Sequence, residues 1–242
     1  MGSMLNHVLA ALIVLSAGII PQITGFGVAA LSMSLLPFVL PITIVIPLVA
    51  IMSTIATGIV AMRSQFRGIS RYVLPLVVGS GLGVALGMYM LPMMSEQLLQ
   101  ILLGIFLTAY ALLGFFGNET RMQLTHLHKS VVGIIAGFFS AFFNIQGPLV
   151  GLYVSESSNQ KKNEVKGIIS TYMFITGLFT VIGHALAGRI TSTIMEFVIF
   201  LLPFLCIGLW IGAKIYARIS IRRVRLGIFV LVFVAGISLL VR

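Results

Sequence analysis

Two stretches decide how this chain folds. They are Ala17-Gly18-Ile19-Ile20-Pro21-Gln22-Ile23-Thr24-Gly25-Phe26-Gly27 and Ala136-Gly137-Phe138-Phe139-Ser140-Ala141-Phe142-Phe143-Asn144-Ile145-Gln146-Gly147-Pro148. Each starts as an apolar helix and then breaks at a cluster of glycine, proline and amide residues. Irregular backbone at membrane depth is tolerated only where protein or a wet cavity satisfies its polar groups. A break that recurs at matching points of two halves therefore reads as a built feature.

Outward from these breaks the chain is membrane sequence. Of its 242 residues 59% are hydrophobic and 8% are charged, where a soluble chain carries about 25% charged residues. That excludes an ordinary soluble enzyme, a disordered segment and a nucleic-acid-binding domain. The net charge of +10 does not restore a nucleic-acid partner, because Lys and Arg fall almost entirely between apolar runs, where they set orientation. The acidic residues are Glu96, Glu119, Glu156, Glu164 and Glu196, with no Asp. The lone Cys206 lies in an apolar run and is expected to be a small packing residue. Met1-Gly2-Ser3 looks like an extension ahead of Met4, and no cleavable leader is expected.

Met4 to Met62 carries no Lys, Arg, Asp or Glu. As helix it would be about 88 Å long, roughly three passes of a ~30 Å core. The pattern predicts apolar runs at 5–22, 26–37, 42–62, 72–92, 98–116, 130–154 (interrupted at 144–148), 167–187, 194–213 and 226–241.

The chain also repeats. Ala17-Gly18 aligns with Ala136-Gly137, Gly25 with Asn144, and Thr57-Gly58 with Thr176-Gly177. Further on, Gly83 and Gly87 align with Gly208 and Gly212, and Leu103-Gly104-Ile105-Phe106 with Leu226-Gly227-Ile228-Phe229. This gives two units, 4–117 and 129–242.

Charge distinguishes two topologies. Eight simple crossings spread the basic residues almost evenly over both sides, which orients nothing. If the broken first element of each half re-enters on its own side, thirteen fall on one face and only Arg189 and Arg242 on the other. The second split is what the positive-inside rule expects. The expected fold is thus an all-α polytopic membrane protein of two inverted repeats. Each is a broken, re-entrant first helix plus three transmembrane helices, eight helical elements by hydropathy, with both termini periplasmic. Inverted repeats with broken helices mark secondary transporters, whose substrate sits at the midplane between repeats.

The pairing of Gly25-Phe26-Gly27 with Asn144-Ile145-Gln146-Gly147-Pro148, and the approach Ala136 to Phe143, carry a resemblance. From Met4 to Arg242 the chain resembles the sulfite exporter TauE/SafE family, also called the toluene sulfonate uptake permease family. Those proteins usually carry G-x-G-G in one repeat and G-G-P in the other. Here Val28 stands where another Gly is common, and Asn144 and Gln146 stand where Gly is common, with Gly147-Pro148 kept. The resemblance implies transport of sulfite, thiosulfate or an organosulfonate such as sulfoacetate across the bacterial inner membrane, by export in some relatives and import in others.

The residues point to the same kind of site. A helix restarting after Gly27 or Gly147 offers free N–H groups and a positive dipole end, which suit an anion. Pro148 fits such a first turn. Gln22, Thr24, Gly25, Asn144 and Gln146 complete the expected binding tips. Ser53, Thr57, Tyr172 and Thr176 form a second candidate ring, although hydroxyls in apolar helices also bond simply to the preceding turn. His184 is the ionisable side chain expected inside a span and is a candidate for coupling. His126 and His128, with Glu119, are too few for a metal site. Val78-Gly79-Ser80-Gly81 is similar to the G-x-S-G of intramembrane serine proteases but lacks its first glycine, so no enzyme is expected. The expected partners are a small anionic substrate and the lipid bilayer, with no nucleic acid, cofactor or metal; a homodimer is left open. An anion channel or facilitator for another small organic anion is the alternative to a carrier.

Overall fold

In the computed structural model the described residues are 2–20, 27–63, 73–116, 126–146, 162–215 and 221–241. Among them the chain is all helical. The elements are α1 (Gly2–Ile19), α2 (Val28–Leu35), α3 (Ile42–Arg63), α4 (Leu74–Met90) and α5 (Glu96–Phe116). They continue as α6 (His126–Phe143), α7 (Lys162–Leu186), α8 (Ser192–Ile215) and α9 (Ile221–Val241). Single 3-10 turns extend α2 to Phe38 and α4 to Met93, each with a proline in the turn. The expected apolar runs are these helices to within a few residues. Among the described residues there are nine α-helices, two of which, α1 and α2, are the parts of the first broken element. The short run expected after Gln146 lies outside the described residues.

Among the described residues five helices are long and apolar enough to cross a membrane: α3, α4 with its 3-10 turn, α5, the Gly167–Leu186 part of α7, and α8. Their outer faces expose Leu82, Leu86, Ile105, Leu113, Ile199 and Trp210, as a lipid-facing surface must. Cys206 is on that exposed face as well, so it is not the packing residue expected from its apolar surroundings. The core is centred on α2 and α3. Every residue from Val28 to Ser34 is buried, so the short helix α2 is enclosed by protein, the condition under which a half-length element can sit at membrane depth.

Helix pairing is crossed between the two halves. The most extensive contacts are α4 with α6, α5 with α9, α1 with α8 and α3 with α7. Glycines set two of these crossings. A Cβ at Gly83 on α4 would overlap the Ile134 carbonyl oxygen of α6, and one at Gly137 on α6 would overlap the Ser80 carbonyl oxygen of α4. The same device recurs where Gly208 and Gly212 of α8 meet the carbonyls of Leu15 and Ile19 on α1. Without lipid-excluding hydrophobicity to drive them together, membrane helices gain by such close backbone approach. Directions follow from the contacts. α4 and α6 run parallel, with Gly79, Gly83 and Gly87 meeting Ser130, Ile134 and Phe138 in order. α1 and α8 are likewise parallel, from His7 stacked on Phe197 to Ile19 against Gly212. By contrast α3 and α7 are antiparallel, with Thr54 against Gly177 and Gly58 against Phe174. So are α5 and α9, with Gly104 against Leu240 and Gly114 against Phe229.

Candidate functional site

Both chain breaks have a definite local cause. α6 stops at Phe143 because Asn144 takes the left-handed conformation, φ 52°; its N–H donates to the Ser140 carbonyl at 2.9 Å. Asn is the side-chain-bearing residue that best tolerates this region. At the other break Gly27 sits at φ 132° immediately before α2. That backbone is open to glycine and strained for any residue with a Cβ. Its carbonyl starts the helix by accepting from the Leu31 N–H at 3.0 Å.

A buried polar cluster gathers at the end of α6. The Asn144 side-chain NH2 donates to the Ser53 hydroxyl on α3. Its Oδ1 accepts from the Ser140 hydroxyl at 2.9 Å. Ser140 also pairs with Thr180 of α7 at 2.9 Å. Asn144 thus ties α6 to α3, and Ser140 ties α6 to α7. Two residues further along, Gln146 is 1% exposed, and its Oε1 has no hydrogen-bond partner. A half-turn of the amide interchanges oxygen and NH2, so the same position can offer two N–H donors.

The second candidate ring divides. Ser53 and Thr57 are buried next to the cluster, but their hydroxyls donate into their own helix, to Val49 at 2.6 Å and Ser53 at 2.9 Å. Thr176 is buried, and its Oγ1 has no hydrogen-bond partner. Tyr172 is turned to the α4–α6 crossing, where its OH pairs with the Ser80 hydroxyl. Ser80 is also within reach of the carbonyls of Leu76 (2.8 Å) and Gly133 (3.1 Å). The Ser80 hydroxyl thus joins α4, α6 and α7 at this crossing.

Gln22, Thr24, Gly25, Gly147 and Pro148 lie outside the described residues, as do Glu119 and the side chains of His126 and His128. Ser140 and Thr180 belong to the cluster although the sequence did not single them out. The signal was present: Ser140 precedes Asn144 by one helical turn, and Thr180 follows Thr176 by one. Among the described residues the buried polar side chains are hydroxyls, the two amides Asn144 and Gln146, and the imidazole of His184, with no carboxylate, lysine or arginine. Such a site can hold a small anion by oriented neutral donors and offers no carboxylate to a sodium ion.

The family model described as Sulfite exporter TauE/SafE matches residues 10–239. No curated protein and no solved structure matches the chain.

Proposed function

The chain belongs to the sulfite exporter TauE/SafE family, a family of membrane transporters, and from that premise we propose that it is a secondary transporter for a small sulfur oxyanion or organosulfonate. The substrate would be held between the tips 22–27 and 144–148 and released to either side of the bacterial inner membrane by alternating access. The observation that carries this reading is Gln146: a fully buried amide with an unpaired end, directly after the left-handed break of α6. An anion that leaves water needs such donors to replace its hydration.

The repeat architecture belongs to the same proposal. The two halves, 4–117 and 129–242, are read as inverted copies. Four helix directions support this. Eight simple crossings would make α3 parallel to α7 and α5 parallel to α9, whereas both pairs are antiparallel. Inverted halves require those two antiparallel pairs together with the parallel pairs α1–α8 and α4–α6.

Three experiments test the proposal. In a thermal-shift panel, purified protein should be stabilised by sulfite, thiosulfate or a small sulfonate and not by matched carboxylates. In proteoliposomes, counterflow of the same anion separates a carrier from a channel, which shows none. For topology, a Cys206→Ser background carrying single cysteines at Arg67, Lys162 or Arg189 should label Arg67 and Lys162 from the cytoplasm and Arg189 from the periplasm. Arg67 and Lys162 labelling from opposite sides would refute the inverted arrangement.

A further inference from the structure

Tyr172, Thr176, Thr180 and His184 recur every fourth residue along α7, and all are buried. They form one polar stripe, about 18 Å from first to last at 1.5 Å per residue. Part of the stripe is tied up: Tyr172 to Ser80 and Thr180 to Ser140. Its far end is not. His184 is 1% exposed, and neither ring nitrogen has a hydrogen-bond partner. An imidazole carries at least one N–H, so a donor is buried here without an acceptor.

A second group at the same place has the same want. Arg189 is partly buried, and its Nη1 is enclosed without a partner. The chain folds back to bring it there: Gly188 takes φ 67°, and the Arg189 N–H donates to the His184 carbonyl at 3.0 Å. No ion pair holds Arg189 among the described residues. One turn thus presents an imidazole without a partner and a guanidinium whose Nη1 is unpaired, at the end of a polar stripe that leads from the amide cluster.

We propose that His184 and Arg189 form a second station for the transported oxyanion, at the α7–α8 turn, on the route to or from the central site. This rests on the transport reading. The guanidinium fork and an imidazole N–H are matched to the oxygens of a small sulfur oxyanion, and a cation would be repelled by Arg189. A lipid phosphate shares that chemistry, but His184 is 1% exposed and enclosed by the bundle, which favours a small free anion.

The test is calorimetric titration of the full chain in detergent with sulfite under anaerobic conditions, repeated with thiosulfate and methanesulfonate. Two binding events per chain are expected. Arg189→Gln and His184→Gln should each weaken one event ten- to a hundredfold and leave the other unchanged, while Gln146→Met should do the reverse. Arg189 lies beyond the helix end, so its variant reports even if His184→Gln does not fold. A single event, lost in Gln146→Met and untouched by Arg189→Gln, would overturn the second station and leave the transport reading standing. So would an equal loss of both events in Arg189→Gln, or disappearance of the second event in phosphatidylglycerol nanodiscs, where a headgroup would occupy it. Absence of any binding by the parent protein to all three anions would overturn both readings.

Discussion

Replacing Gln146 by methionine is expected to weaken oxyanion binding ten- to a hundredfold while leaving the empty protein as stable as before, or more so. Methionine keeps the length and much of the volume of glutamine without its polar end. A hydrogen bond to a charged ligand contributes about 1.5–3 kcal/mol, and about 1.4 kcal/mol is a factor of ten in affinity. The same change removes a buried Oε1 that has no partner in the folded chain, a group that costs about 1–3 kcal/mol where it stands. Binding and stability should therefore move in opposite directions, which simple misfolding cannot imitate. Asn144→Ala should behave differently. Its side chain joins Ser53 to Ser140, and its left-handed backbone favours Asn over Ala. That variant should lose melting temperature along with affinity. Melting curves without ligand and titrations of sulfite on both variants check the pair. Equal affinity in Gln146→Met and the parent would place the site elsewhere.

Gly83→Val should eliminate correctly assembled protein. Its Cβ would overlap the Ile134 carbonyl and lie 2.7 Å from the Phe138 nitrogen, all backbone of α6. Backbone cannot rotate out of the way as a side chain can, so α4 and α6 would have to separate. Overpacking costs typically 1–3 kcal/mol where neighbours can adjust, and more where they cannot. Gly79 and Gly87 on α4 and Gly133 and Gly137 on α6 are in similarly close contact, so separation at one point breaks the whole crossing. Gly227→Ala is the control, since nothing lies within 4 Å of a Cβ there. Size-exclusion profiles of detergent extracts should show a monodisperse peak for Gly227→Ala and for the parent, and none for Gly83→Val. A normal peak for Gly83→Val would mean that α4 and α6 are not packed as described.

Much of the fold was legible because membrane sequence writes its elements plainly: long uncharged runs, punctuated by proline, glycine and arginine. Both breaks were legible for the same reason. Asn144 and Gly27 stop or start helices through their own backbone, without help from distant residues. The site was only partly legible, because its chemistry depends on which partner each side chain finds. Asn144 and Gln146 look equivalent as neighbouring amides, yet one is occupied by two hydroxyls and the other has an unpaired end. Ser53 and Thr57 look like ligands, yet their hydroxyls are turned to carbonyls of their own helix. Ser140 and Thr180 announce themselves only when α6 and α7 are side by side. The crossing glycines could be aligned between halves from sequence, but the backbone each one meets could not be read from it.

The crossed pairing also fixes the order in which this protein can be made. Gly18 of α1 packs on Gly208 of α8, so α1 waits for a partner synthesised about 190 residues later. At about 5–20 residues per second, that wait is roughly 10–40 s, during which α1 can meet α2 but not the helix against which it packs most extensively. α6 fares better, since α4 is already in the membrane when it emerges. Biogenesis is therefore asymmetric even where the finished packing is matched: α6 meets its partner on arrival, while α1 completes its packing only once α8 is made.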